Sequence, residues 1–533
     1  MRFTKWHLIA LSIISALALS STISYIVLNK KNQEYELSST LAEIFIDSDR
    51  DFRFYGFKGR GTLSNPYVIE NLHFFNLSKT AIYIRDTTKH FVIRNCEFDI
   101  SEKTSIVFQN VVESYGVITN CIFNTKIGID ISYSADLAIL DNSFTNFSYG
   151  IQIKESTLLN ISSNNFVDSR EEYVVLKIRG TCIHSIYSSY TSIENNYCYN
   201  TSYGIELYNS NNMLVSNNNC TENKKGIIGE RVPYSSFINN NCNSSDTSMD
   251  LLEAKGVTIR DNNFGKRGIK LYEQHREKFL DYTVENNLAN NKEIGFFVNV
   301  QNQTIDEEQY GQVFIASCFN LTLSNQNLYY VANGISVFFS ENISIINNTC
   351  IENKQYGIYS VFTLWSLFAN NTCSNAVMGF FITFNMNSTF ANNTLHSNVE
   401  GFHLYNTTWC LFTRNNLSFN QNQGLLTDRF CENLTITYNY FIENQNYAIE
   451  FIHWERPAHG NYVHHNAFIN NAPQFDSQCS DIDYWGEWTQ DYWYDRLTSE
   501  GNYWSDLGGY SYYVIYPGRY IDPYPLSSPD IWS

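Results

Sequence analysis

A repeat of about 22 residues restricts this 533-residue chain to very few folds. The sequence Gly-Ile-x-[Ile/Leu/Val] recurs, and 14 positions after its glycine stands an asparagine shortly before an apolar residue. Gly128 leads in this way to Asn142, Gly150 to Asn164, Gly204 to Asn218 and Gly226 to Asn240. Further on, Gly334 leads to Asn348, Gly357 to Asn371, Gly379 to Asn393 and Gly401 to Asn415. Asn-Asn and Asn-x-Asn sequences accompany it from about residue 95 to 471.

Each row offers three short β-branched runs separated by Asn, Gly and Ser, which is the pattern of one solenoid coil. A single coil cannot bury its apolar face, so coils must stack into one continuous core. The predicted fold is therefore all-β, a single parallel β-helix with an N-terminal signal or anchor helix and capped ends. Some 17 rows stepping at about 4.8 Å would make a rod roughly 80 Å long. Asparagines at the same turn of successive coils are expected to hydrogen-bond as a ladder. The predicted segments are 1–36 (signal peptide or signal anchor), 37–66 (opening cap), 67–471 (β-helix) and 472–533 (aromatic closing cap).

The cysteines follow the same period. Cys198, Cys220 and Cys242 are 22 apart, and Cys350 and Cys373 are 23 apart. They stand where other rows have Phe144, Phe166, Phe264, Leu395 and Phe441, an interior slot, and so read as stacked buried thiols. Disulfides between neighbouring coils stay open, because the Cα spacing would permit them. No Cys-x-x-Cys or Cys/His zinc spacing occurs.

The formal net charge of −18 argues against nucleic acid as a partner. Gly56, Gly59 and Gly61 precede a strand rather than a helix, so they open the first coil instead of cradling a nucleotide phosphate. At the start, Arg2 and Lys5 come before an uncharged stretch from Leu8 to Leu28, long enough to span a bilayer. Ala16-Leu17-Ala18 offers a small-x-small cleavage site within it. Export is expected, either anchored on the extracellular side of the membrane or secreted, with membrane contact through this segment only.

Within Gly-Ile-x-[Ile/Leu/Val] the middle residue points out of the rod. The outward column reads Asp130, Gln152, Glu206, Ile228, Asp250, Lys270, Ser336, Tyr359, Phe381, His403, Leu426 and Glu450. Asp130, Glu206, Asp250 and Lys270 are the catalytic candidates for a polysaccharide hydrolase or lyase. Glu206 and Asp250 should lie roughly 9–10 Å apart at two coil steps, near the upper limit of about 6.5–9.5 Å for an inverting pair. Lys270 could serve a lyase as base. A mixed column of charges is equally what a solvated sheet face shows. Tyr83, Tyr208, Tyr272, Tyr359, Phe381 and Tyr405 are predicted to face outward as sugar-stacking rings, with segments 167–181, 271–283, 299–333 and 451–461 walling a groove. Asn-x-Ser/Thr sequences, as at Asn146, Asn342 and Asn433, could carry glycans. The expected partner is an extracellular polysaccharide, another glycan or a surface protein, with no cofactor and no metal site. Trp485, Trp488, Trp493 and Trp504 read as packing of the closing cap.

Three stretches carry a family resemblance. GRGTLSNPYVIENL (59–72), KEIGFFVNVQNQTIDEEQYGQVFIASCFNLTLSNQNL (292–328) and GNYWSD (501–506) resemble the opening, mid-chain and closing segments of NosD-like right-handed parallel β-helix proteins. The resemblance spans roughly residues 55 to 526 and implies the same fold. It also implies a role in copper delivery, although the chain has five methionines in all and no Met/His run. His453, His459, His464 and His465 read as polar turn residues of the last coils. Relatives often continue after GNYWSD with an Asp-rich, calcium-loop-like run; LGGYSYYVIYPGRYIDPYPL lacks those carboxylates.

Overall fold

The computed structural model describes residues 43–168, 171–173, 178–306, 310–452, 460–472, 475–477, 491–515 and 520–532. The signal or anchor segment, His453, His459, Trp485 and Trp488 lie outside them. Among the described residues no helix is long and apolar enough to cross a membrane.

The described chain winds into a right-handed parallel β-helix. Strands on three faces pair in parallel with the equivalent strands one coil away. The first face carries the Gly-Ile-x-[Ile/Leu/Val] strands, such as Tyr149–Lys154 and Tyr203–Tyr208. The second carries strands such as Asn160–Ser162, and the third strands such as Asn165–Val167. Side chains alternate inward and outward along each strand, and the inward ones stack on their counterparts. Phe98, Phe123, Phe144 and Phe166 form one file with ring centroids 4.8, 4.6 and 4.6 Å apart. Cys198, Cys220 and Cys242 continue it in register. The eleven described cysteines are free and buried. Burial pushes the Cys410 and Cys431 thiols up to about 12.

The asparagine of each row closes the corner between the second and third faces. Asn142 Nδ2 donates to Asn164 Oδ1 at 3.0 Å, Asn164 to Asn196, Asn196 to Asn218 and Asn218 to Asn240, all buried. The residue before it takes φ near +55°, as at Asn217, Asn347 and Asn370. In Asn-Asn the first residue makes the left-handed turn, which Asn tolerates, and the second joins the ladder. The repeat's glycine answers a different need. A Cβ on Gly357 would sit 2.6 Å from both Cys373 Sγ and the Gly379 carbonyl oxygen.

Both ends are covered, as stacked strands require if they are not to pair with other chains. Ile44–Ile46 pairs with Ile82–Ile84, and Phe52 of the helix Asp51–Phe54 stacks on Tyr67 at 4.7 Å. Gly59 and Gly61 turn with φ of 109° and 70° just before the strand Tyr67–Glu70. At the far end Trp504 stacks on Phe468 (4.3 Å) and Tyr513 (4.0 Å), and Trp493 is buried. The ladder ends at Asp522, whose carboxylate accepts from Asn502 N (2.7 Å) and Trp504 Nε1 (2.8 Å).

The interior divides into two clusters, the first running as far as Val361 and the second beginning at Ile305. Gln312 splices them. Its buried amide accepts from Ile269 N (2.9 Å) and donates to Ile269 O (2.7 Å) and Asn333 O (3.0 Å).

Candidate functional site

The outward column of the first face exists as the repeat implies, and it includes His184, which the sequence reading passed over. Asp130, Gln152, His184, Glu206, Ile228, Asp250 and Lys270 are successive register partners. His184 was hidden because ten extra residues precede it and Cys182 holds the glycine slot. Realigning Cys182-Ile183-His184 on Gly150-Ile151-Gln152 would have revealed it.

The four catalytic candidates do not converge. Glu206 is 7% exposed, and it holds His184 Nδ1 at 2.9 Å and the Tyr208 hydroxyl at 2.9 Å. Burial, and then the charge of Glu206, hold the Tyr208 phenol well above its usual range, so it stays a donor. Asp250 instead pairs with Lys225 Nζ at 2.8 Å, and Ile228 separates it from Glu206. Burial raises the Asp130 carboxyl, with Lys154 opposing. Lys270 follows Asp250 at the end of this column. Glu206 and Asp250 are thus each held by partners of their own and not by one another.

The six predicted sugar-stacking rings do not form an open surface either. Tyr359 is only 8% exposed, stacked on Phe381 (5.4 Å) and packed edge-on against Phe338 (5.5 Å). The helix Arg276–Phe279, inside segment 271–283, lies over this face and sets Phe279 on Phe338 at 4.9 Å. It covers the sheet instead of walling a groove. Tyr83 stacks on Phe45, Tyr208 is tied to Glu206, Tyr272 packs against the core, and Tyr405 meets Phe384 edge-on. All four are half-buried. A strand side chain that points outward is exposed only where nothing crosses above it.

Exposed rings lie at the corner between the first and second faces. Two residues per coil take positive φ there, and several are aromatic: Tyr187 (53°), Tyr190 (49°), Phe362 (50°), Trp365 (45°), Phe384 (55°) and Trp409 (55°). Bulky residues seldom adopt this conformation. Trp365, Asn387 and Trp409 occupy one position of three successive coils, linked by Trp365 N to Met386 O (3.1 Å) and Asn387 N to Thr408 O (3.3 Å). Trp365 is 54% and Trp409 61% exposed. Beside them Phe339, Phe362 and Phe384 stack into a ridge, with centroids 5.2 and 4.4 Å apart. Reading strands alone missed this corner; the signal was aromatics recurring at coil spacing just after the outward column.

A last cluster closes the rod. His464 Nδ1 lies 2.7 Å from His465 Nδ1, and His465 Nε2 lies 2.9 Å from Glu500 Oε2. The donor atoms of His464, His465 and Asp495 fall within 4.8 Å of one another.

A family model described as periplasmic copper-binding protein NosD matches residues 320–509, and one described as right handed beta helix region matches 57–177 and 171–305. The chain is a NosD-like parallel β-helix repeat protein. No curated protein sequence matches it. Similar solved structures include a periplasmic alginate epimerase, at 9% identity and TM-score 0.31, covering 85% of this chain and 89% of that one. An Azotobacter vinelandii mannuronan C-5 epimerase module is 8% identical with TM-score 0.24, covering 76% and 90%. A tailspike protein of an E. coli bacteriophage is 9% identical with TM-score 0.32, covering 67% and 70%.

The NosD description names copper. Cu(I) selects soft sulfur ligands, and the described cysteines lie inside the coils, as do Met213 and Met249. Imidazole and carboxylate converge at His464, His465 and Asp495, a donor set that fits a divalent first-row ion.

Proposed function

We propose that this protein is an exported surface rod that recognises an extended carbohydrate along its aromatic corner. The observation that carries the reading is the exposure of Trp365 and Trp409 at left-handed turn positions two coils apart, with the Phe339-Phe362-Phe384 ridge beside them. Strained backbone positions cluster at ligand clamps, and here two of the corner's left-handed positions carry exposed indoles. Large rigid rings next to polar amides, here Asn387, suit the apolar faces and hydroxyl rims of sugars. Leu8 to Leu28 supports export, with the rod held outside the cytoplasm at the membrane or released.

The test is retention of the full chain on a panel of neutral and acidic polysaccharides. Truncating a hot-spot Trp costs about 2 kcal/mol or more, so Trp365→Ala and Trp409→Ala should each weaken retention roughly 30-fold. Both side chains are exposed, so melting should not change. Retention that survives both substitutions would remove the corner from the reading.

The Glu206 network favours a second reading, a hydrolase or lyase acting on the first face. New chain ends released by the wild type but not by Glu206→Gln would establish it.

A further inference from the structure

We propose that His464, His465 and Asp495 bind one divalent transition-metal ion of the zinc or copper(II) class, and that Glu500 orients His465 for it. This is independent of carbohydrate recognition and lies two coils beyond Trp409, at the closing end of the rod.

The fold delivers the four residues from two elements. His464 ends the strand Tyr462–His464, the last of the second face, directly above Thr437 of the preceding coil. His465 takes the next turn with φ 54°, the place Asn347, Asn370 and Asn392 fill in earlier coils. Asn466 then continues the ladder to Asn502 at 3.0 Å. Asn would satisfy that turn, so the backbone does not require an imidazole here. Asp495 and Glu500 come from the closing cap. Asp495 N donates to Glu500 O at 2.8 Å and Ser499 N to Asp495 O at 2.9 Å, closing a tight loop. His465 N donates to Gly501 O at 2.7 Å and seats that loop against the coil.

The hydrogen bonds prepare the ligands. A carboxylate accepts only, so the contact of Glu500 Oε2 with His465 Nε2 places the ring proton on Nε2. The lone pair of neutral His465 is then on Nδ1, 2.7 Å from His464 Nδ1. This is the carboxylate–histidine–metal arrangement that fixes tautomer and ring orientation. Tyr438, stacked on His465 at 4.9 Å, holds the ring from the other side. Leu497 N binds Asp495 Oδ1 at 2.8 Å and sets the carboxylate angle. Without metal, His464 Nδ1–H donates a hydrogen bond to His465 Nδ1. With metal, His464 carries its proton on Nε2 and both Nδ1 atoms face the ion, water completing the shell. Two imidazoles and one carboxylate suit zinc or copper(II) better than calcium or copper(I). The ion would link the last coil to the cap that buries Trp493 and Trp504, so binding should stabilise the closing end.

The experiment uses the tag-free full chain, zinc chloride or copper(II) sulfate as probe, and equilibrium dialysis read by elemental analysis. The expected result is one equivalent retained per chain, with a raised melting midpoint and a copper(II) resonance split by two nitrogens. Glu500→Gln should weaken retention about 10- to 100-fold. His464→Ala and Asp495→Asn, both at half-exposed positions, should abolish tight retention, with circular dichroism confirming that they fold. Absence of retained metal would overturn the proposal. So would retention that His464→Ala and Asp495→Asn leave unchanged.

Discussion

The side chain of Asn371 accepts from Asn348 N and Nδ2, both at 3.0 Å, and donates to Ile345 O (2.8 Å) and Asn393 Oδ1 (3.0 Å). Asn371→Ala strands several buried partners at about 1–3 kcal/mol each, so it should lower stability by roughly 3 kcal/mol or more. A denaturant midpoint compared with that of Trp365→Ala checks this. The thiols give a second prediction at this scale. Since Cys198, Cys220, Cys242, Cys350 and Cys373 are free and buried, reductant should not move the melting midpoint. Thiol reagents should label them only after unfolding. Asparagines and cysteines were legible in the sequence because a buried slot shared by every coil keeps one demand each time, a ladder amide in the first case and an apolar interior side chain in the second. The exposed corner was not, since a left-handed turn dictates φ and leaves the side chain free: Trp365, Asn387 and Trp409 are equivalent in backbone and unlike in chemistry.

At the scale of elements, the opening cap is held by carboxylates. The hydrogen bond from Arg85, above all, holds Asp47 below its usual range. At Asp49 burial resists the charge, but hydrogen bonds from Thr87, Thr88 and Lys89 outweigh it. Both are lowered in the folded state, so their contribution is full above the ordinary aspartate value of 3.8 and fades as pH falls below it. The hydrogen-exchange protection factors of Ile44–Ile46, referred to the intrinsic rate at each pH, should therefore fall on acidification before those of Tyr203–Tyr208 do. The helix Arg276–Phe279 shows where element-level reading of the sequence stopped. The alternation of a strand says which side chains leave the core, but not whether a distant segment folds back over them. Tyr359 and Phe381 obey the alternation and are nevertheless covered. His184 shows the converse, since ten inserted residues displaced its place in the sequence and left its place in the column intact.

Over the whole molecule, stability is the sum of coil interfaces, and the join at Gln312 is made by a buried side chain bridging two stacks. Gln312→Leu leaves the buried N–H and C=O of Ile269 without these partners. The two halves should then unfold less cooperatively, seen as a broadened or divided transition and as new proteolysis between residues 288 and 312. The fixed step of the coils has a further consequence. Trp365, Asn387 and Trp409 are graduations on a ruler whose interval is set by backbone hydrogen bonds and cannot be retuned one mark at a time. A linear polymer whose own repeat differs from the coil step of about 4.8 Å by a tenth would drift half an interval after about five units. Selectivity along such a corner would therefore come from pitch as much as from chemistry, and lengthening the rod would sharpen discrimination without any new kind of contact.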